Sequence, residues 1–256
     1  MDNFLKTAIE AAKEAGKIML ERSGHPGKID FKGRINLVTE VDLLCEKKII
    51  TVIKDNYPDH SILAEEQGET LASSTYKWII DPIDGTTNFA HDFPMYCSSI
   101  ALEIKGDIQI GTVYVPVLDE LFIAQKGKGA SLNGNKIHVS KTDTLRASML
   151  ATGFAYDVHE TEMDNVNHFK NFLKQARAVR RPGSAAIDLC YVAAGRFDGF
   201  WELNLHPWDV AAGVLLIQEA GGNVTGMAGE NYSIYSNNIL ASNGLIHRNM
   251  LDVLGL

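Results

Sequence analysis

Cysteine is scarce. Cys45, Cys97 and Cys190 are the only three in 256 residues, and no two form a C-x-x-C pair. That argues against a zinc knuckle and a disulfide framework, and the apolar neighbours of each point to buried, unreactive thiols. Long apolar runs are missing too. No stretch reaches bilayer-spanning length, and residues 1–6 have neither a basic n-region nor an apolar h-region; the sequence predicts a cytoplasmic protein with no membrane association. Positive charge is in deficit, 24 Lys and Arg against 32 Asp and Glu, for a net charge of −8. Such a chain is poorly suited to bind nucleic acid through bulk electrostatics. The eight histidines show no metal-ligand spacing. Gly127-Lys128-Gly129 is too short for a Walker loop and reads as a hairpin turn, and no Ser or Cys sits in a nucleophile elbow.

What is present is apolar material for one large core or two smaller ones, 45% of the chain. Leu5, Ala8, Ala12, Ala15 and Met19 share one helical face over residues 3–22. Thr39-Glu40-Val41-Asp42 resembles a capping box that opens a second helix. From Ser61 the pattern turns strand-like, and residues 98–104, 108–115 and 121–124 with the Asn133-Gly134 turn predict an antiparallel meander. After about residue 147 strands alternate with helices, predicted over 160–175, 184–195, 209–220 and 246–254, as in α/β layers. Pro207 reads as a helix stop and Asp209 as the cap of the next helix. The organisation predicted is an N-terminal α+β half, 1–147, and a C-terminal α/β half, 148–256.

Chemistry concentrates at residues 81–89. Asp81 and Asp84 follow the apolar run Trp78-Ile79-Ile80, with Pro82 between them and Gly85-Thr86-Thr87 behind. Paired carboxylates at the end of an apolar strand suit a hard divalent cation, and the Gly-Thr-Thr turn offers N–H groups and hydroxyls to an anion. A cation beside an anion cradle suggests phosphate chemistry. Glu65 follows another apolar run, 62–64, and Asp209 opens a helical pattern. Taken singly each reads as a cap or a solvated turn; together they suggest carboxylates whose mutual repulsion bound cations relieve. Gly183-Ser184-Ala185-Ala186 opens a helix whose free N–H groups suit a hydroxyl or an anion, with an ordinary Ser cap as the equal alternative. Glu202 ends the run 199–201, either to accept hydrogen bonds from substrate hydroxyls or as an idle rim carboxylate. His206 reads as packing.

Two motifs carry a resemblance: Asp81-Pro82-Ile83-Asp84-Gly85-Thr86, and Trp208-Asp209 followed after eleven residues by Gly221-Gly222. Ala64-Glu65-Glu66, residues 38–42, residues 183–186 and Leu240-Ala241-Ser242-Asn243 support them in the expected order across nearly the whole chain. The sequence resembles the inositol monophosphatase family of metal-dependent, lithium-sensitive phosphatases. The resemblance implies an αβαβα layered sandwich of the sugar-phosphatase type and two or three Mg2+ ions. Glu65, Asp81 and the carbonyl of Ile83 would hold the first ion; Asp81, Asp84 and Asp209 the second; Glu65 and water a third. Thr86, with Asp42 behind it, would orient and help deprotonate the attacking water. Gly85 and Thr86 N–H groups would bind phosphate, and Gly183, Ser184, Ala185, Glu202 and Asp209 would line the substrate pocket.

The implied substrate is a small phosphorylated polyol or sugar, with Glu202 tilting towards myo-inositol monophosphate, and the implied assembly is a homodimer. Other readings are a relative acting on fructose 1,6-bisphosphate, histidinol phosphate or a 3′(2′),5′-bisphosphate nucleotide. A different class is a regulatory protein that binds RNA or the transcription machinery. Two departures from the family pattern fall on the substrate side. Alignment to its mobile loop needs a gap between Phe31 and Asn36, which affects Lys32 and Arg34, and Thr152-Gly153-Phe154 stands where some relatives place a Ser.

Overall fold

The alanine-rich stripe at the N-terminus folds as α1 (Asp2–Arg22), burying Ala8, Ala11, Ala12, Ala15 and Met19. The structure is a computed structural model that describes every residue except 26–28, 33–35, 73, 156–157, 160–163 and 256; over 29–32 and 36–37 it describes the backbone alone. A short hairpin, β1 (Ile29–Lys32) and β2 (Asn36–Thr39), leads into α2 (Glu40–Asn56). The capping box at its start is complete: the Thr39 hydroxyl accepts from the N–H groups of Val41 and Asp42, and the Thr39 N–H donates to the Asp42 carboxylate. Lys32 and Arg34 lie outside the residues whose side chains are described.

Next come β3 (Ser61–Ala64), β4 (Gly68–Thr70), β5 (Tyr76–Asp84), α3 (Thr86–Ala90), β6 (Cys97–Ile104), β7 (Asp107–Val115), β8 (Glu120–Gln125), β9 (Gly129–Leu132) and β10 (Asn135–Ile137). These eight strands form one sheet in the order β10-β9-β8-β7-β6-β5-β3-β4. The meander from β5 to β10 is antiparallel. The two-residue Asn133-Gly134 turn has positive φ at both positions, 49° and 78°, as the right-handed twist of a tight hairpin demands. The sheet departs from the expected all-antiparallel pattern at one place: β3 and β5 run parallel. β4 folds back on the outer side of β3, so the chain must cross to the other side of β3 and enters β5 in the same direction.

The second half supplies β11 (Met149–Thr152), α4 (Val166–Leu173), β12 (Ala178–Arg180), α5 (Ala185–Ala193), β13 (Gly199–Leu203), α6 (Pro207–Glu219), β14 (Asn223–Thr225), β15 (Asn238–Ser242) and α7 (His247–Leu254). Its sheet, β12-β11-β13-β15-β14, is parallel across β12, β11 and β13 and antiparallel across β13, β15 and β14. Helices α1 and α2 cover the outer face of the large sheet, α5 and α6 lie between the sheets, and α4 and α7 pack together beyond the small one. The layers are therefore αβαβα. α5 apart from Asp188, and α6 from Val210 to Ile217, are apolar on every face, as a helix buried between two sheets requires. One core cluster runs from Val113 and Phe122 of the large sheet through Leu189 and Leu216 to Phe200 and Ile239 of the small one. No described helix is long and apolar enough to cross a membrane.

Two local expectations are corrected. Pro207 is not a stop; it is the first residue of α6, where its missing N–H is no loss. Asp209 consequently sits in the first turn rather than at the cap, and its carboxylate accepts the His206 N–H at 2.6 Å. The helix expected over 160–175 begins, among described residues, only at Val166.

Gly111 marks the closest approach of α6 to the large sheet: a Cβ there would lie 2.7 Å from the Ala212 carbonyl oxygen and 3.0 Å from its Cα. Gly111→Val is expected to cost about 1–3 kcal/mol through overpacking, a fall in Tm of roughly 5 °C. An unchanged melting curve would contradict this packing.

Candidate active site

Asp81 and Asp84 reach the same place because β5 is irregular between them. Asp81 pairs with Ser99 and Asp84 with Cys97, with a register shift between the two pairs. Pro82 has no N–H to give to a ladder, which favours that break. β3 ends beside β5 in the same direction, so Glu65, whose N–H donates to the Ile80 carbonyl at 3.2 Å, emerges next to Asp81. The first turn of α6 brings Asp209 in from the other half. Carboxylate oxygens of Asp81, Asp84 and Asp209 all lie within 4.8 Å of one another. Glu65 stands outside that close group but lines the same cavity, and its charge bears on all three.

The cluster is electrostatically uncomfortable. Burial first, then the charges of Glu65, Asp84 and Asp209, hold the Asp81 carboxyl well above the usual range. Asp81 is only 2% exposed, and its Oδ1 has no hydrogen-bond partner. Burial and then the Asp84 charge likewise raise Asp209. Asp84 is pushed up to about 6 by burial, against the pull of its hydrogen bonds. Those bonds come from the start of α5: the Ser184 hydroxyl and the Ala186 N–H each donate to Asp84 Oδ2 at 2.6 Å. The helix start that the sequence offers to a substrate is thus partly spent on Asp84, while Gly183, Ser184 and Ala185 still line the cavity.

Thr86 opens α3 directly after Gly85, whose φ is 96°. A side chain at Gly85 would meet the Met95 carbonyl at 2.8 Å, so only glycine fits this turn. Thr86 Oγ1 lies 3.0 Å from Asp42 Oδ1 and 3.1 Å from the Ile83 carbonyl, both acceptors for its hydroxyl. Asp42 is fully buried; its Oδ2 accepts from the Thr39 N–H at 2.8 Å and the Thr39 hydroxyl at 2.5 Å. Burial pushes its carboxyl up to about 6, and the Thr39 bonds hold it from going further. The capping-box acid of α2 is therefore also the group behind Thr86.

Glu65, Asp81, Asp84, Thr86, Ser184 and Asp209 border one cavity of about 730 Å³. Three clustered acids facing a cavity, one of them, Asp81, with a buried oxygen that no protein donor reaches, fit an oxygen-ligated divalent cation. The model of the inositol monophosphatase family matches residues 1–254.

The chain belongs to the inositol monophosphatase family.

Its relatives agree. It is 44% identical to an inositol-1-monophosphatase of Synechocystis over 256 residues, 99% of this chain and 89% of that protein. It is 41% identical to the Nus factor SuhB of Escherichia coli over 254 residues, 98% and 95% of the two chains. The solved inositol monophosphatase of Anabaena superposes with a TM-score of 0.91 at 44% identity, covering 99% of this chain and 96% of that one. The family is one of metal-dependent phosphoric monoester hydrolases.

Glu202, Gly153 and Asp188 add buried groups to the lining of the same cavity. Glu202 of β13 is not an exposed rim carboxylate: it is 8% exposed, and burial pushes it up to about 8 despite the nearby Arg181 charge. Gly153 makes room for it, since a Cβ at that position would fall 2.1 Å from Glu202 Oε1. His206 stacks on Trp208 with ring centroids 4.8 Å apart, the packing role expected of it. The sequence reading missed Asp188 and Arg181, which line the cavity, while Gly153, noted there as a departure from the family pattern, lines it too. The available signal was Asp188 itself, one acid among Ile187, Leu189, Cys190 and Val192 in an otherwise apolar helix.

Proposed function

We propose that this protein hydrolyses myo-inositol monophosphate or a related polyol or sugar phosphate, using two or three Mg2+ ions. The observation that carries this reading is the convergence of Asp81, Asp84 and Asp209 within 4.8 Å, with Asp81 Oδ1 unpartnered. Glu65, Asp81 and the Ile83 carbonyl would hold one ion, Asp81, Asp84 and Asp209 another, and Glu65 with water a weaker third. Bound there, such ions neutralise phosphate charge and lower the pKa of coordinated water.

The protein's own groups then position and move a proton. Thr86 Oγ1, held between Asp42 and Ile83, faces the site where water attacks phosphorus; it accepts a proton from that water and passes its own to Asp42 Oδ1. Burial pushes the Asp42 carboxyl up to about 6, which suits it to this exchange. N–H groups of Gly85 and Thr86 bind phosphate oxygens, and Glu202 accepts hydrogen bonds from hydroxyls of the alcohol part. The Ser184 hydroxyl is engaged by Asp84 and the Thr86 hydroxyl by Asp42 and Ile83, which supports transfer directly to water rather than to a side chain. Inversion at phosphorus with a chiral thiophosphate ester is the expected outcome, and net retention would contradict it. Phosphate release from a panel of monoesters with magnesium tests the reaction. Activity should also fall as lithium rises at fixed magnesium; indifference to lithium would count against the second ion site.

Residues 1–147 are proposed to carry most metal ligands, and 148–256 to supply Asp209 and the substrate wall. Free cysteines, all buried, suit the cytoplasm, and the family resemblance suggests a homodimer. A second reading, a regulatory role in binding RNA or the transcription machinery, is favoured by the name Nus factor carried by the E. coli relative. Asp84→Asn separates the two, since partner capture that survives in the inactive variant shows a role independent of hydrolysis.

A further inference from the structure

Asn165 stands directly before α4, where an asparagine ordinarily caps the helix with its side chain. Here it makes no such bond; the Asp164 carboxylate accepts the Val166 N–H at 2.9 Å instead. The Asn165 backbone is left-handed, with φ 64°, a region that asparagine tolerates better than most residues, and its amide is buried, only 3% exposed. Nδ2 donates to Thr152 Oγ1 at 2.9 Å and to the Gly153 carbonyl at 2.8 Å, and Oδ1 accepts the Trp201 indole N–H at 2.7 Å. The indole can only donate, which fixes the orientation of the amide. Thr152 completes the set by donating to the Trp201 carbonyl at 2.5 Å. Thr152 and Trp201 are the last pair of the parallel ladder between β11 and β13. Beyond that pair the strands open into the cavity, with Gly153, Phe154 and Ala155 on one side and Glu202 on the other. Trp201 faces α4, its ring 4.1 Å from that of Phe172, so Asn165 ties the two strands together from the side of the sheet opposite α5. A satisfied polar network in an apolar layer fixes one arrangement more sharply than packing alone.

We infer that Asn165 is a positioning residue for the substrate wall. It does not line the cavity; it acts through Thr152, Gly153 and Trp201, which set the gap where Glu202 sits. That gap has no room for a side chain at position 153, where a Cβ would lie 2.1 Å from Glu202 Oε1. A strand end that drifts there either closes on Glu202 or moves away from it, and a group aimed at a substrate tolerates little of either. The inference rests on the phosphomonoesterase reading. The acids proposed to hold metal, Asp81, Asp84 and Asp209, belong to β5 and α6, which this network does not touch, so loss of Asn165 falls on the alcohol part of the substrate and not on the metal side.

The test measures kcat and KM separately for myo-inositol 1-phosphate and for 4-nitrophenyl phosphate, whose leaving group has no hydroxyl to place, together with the magnesium concentration at half-maximal rate. Asn165→Asp keeps the size, the backbone tolerance and the acceptor for Trp201, and removes the amide donor. It is expected to raise KM for the inositol ester roughly ten-fold, with kcat, KM for the nitrophenyl ester and the magnesium requirement near their wild-type values. Thr152→Val, which takes the hydroxyl out of the network and leaves a β-branched side chain in β11, should give the same split if the Asp variant does not fold. Thr152→Ser, which keeps the hydroxyl, should restore wild-type kinetics. Equal losses for both esters, or a lower Tm with both KM values unchanged, would overturn the inference and leave the phosphatase reading intact. A folded wild-type protein inert towards both esters would overturn that reading and this inference with it.

Discussion

Asp84→Asn is expected to abolish magnesium-dependent phosphate release, by roughly a thousand-fold or more, and to leave the metal-free fold at least as stable as the wild type. The first half follows from the charge. Asp84 belongs to the group of three carboxylates within 4.8 Å, and losing about 4 kcal/mol of transition-state stabilisation corresponds to three orders of magnitude. The second half follows from the balance at Asp84. Its bonds from Ser184 and Ala186 favour the carboxylate, but burial outweighs them, since the carboxyl is pushed up rather than down. An amide oxygen keeps the two acceptor contacts and removes the repulsion with Asp81 and Asp209. Phosphate release and a melting curve in chelator check the two halves separately. Wild-type activity in this variant would refute the ligand assignment; a collapsed melting curve would show that Asp84 is chiefly structural.

Without metal, the protein is expected to lose stability as pH rises from about 5 to 8. Asp42 and Asp84 ionise near 6 and Glu202 near 8 in the folded chain, against ordinary carboxylate values near 4. Between those limits the folded state binds more protons than the unfolded state, so stability falls with pH across the window. The penalty is absent below about pH 4 and complete once the folded groups have ionised. At about 1.4 kcal/mol per pK unit, the three groups together imply a decline in Tm of roughly 10–20 °C. Magnesium should reverse it, because the cation stabilises the ionised cluster. Scanning calorimetry in chelator and in magnesium across that range checks both trends. A chelated protein that grows more stable towards pH 8 would mean these acids already have partners within the protein.

Much of this site was legible before any coordinates. Asp81 and Asp84 were exposed by contrast with the apolar run before them and the layered order by the change of rhythm near residue 147, whereas the capping box announced only a helix start and Asp42 entered the site through the family resemblance. The unreadable parts depend on three-dimensional neighbours. Periodicity reports which residues are apolar, not which strand a chain crosses to reach, so the parallel pairing of β3 with β5 was invisible. Pro207 carries opposite meanings at the end of a helix and at its first residue, and only the strand before it decides between them. Ser184 was correctly a helix cap, but its hydroxyl also holds Asp84, one hundred residues away in sequence. Gly153 looked like a departure from the family pattern; its lack of a side chain is what admits Glu202. Asp188 went unread because a single acid in a helix is ordinarily solvated, and nothing local announced that α5 lies between two sheets.

The central claim is that acids from two separate stretches of chain, Asp81 and Asp84 of β5 and Asp209 of α6, make one divalent-cation site. Anomalous diffraction from crystals grown with manganese and phosphate tests it most directly. The account requires a peak at oxygen-ligand distance from Asp81, Asp84 and Asp209 together, with phosphate beside Gly85 and Thr86. Manganese that supports hydrolysis in solution but gives no peak among these three carboxylates would contradict it.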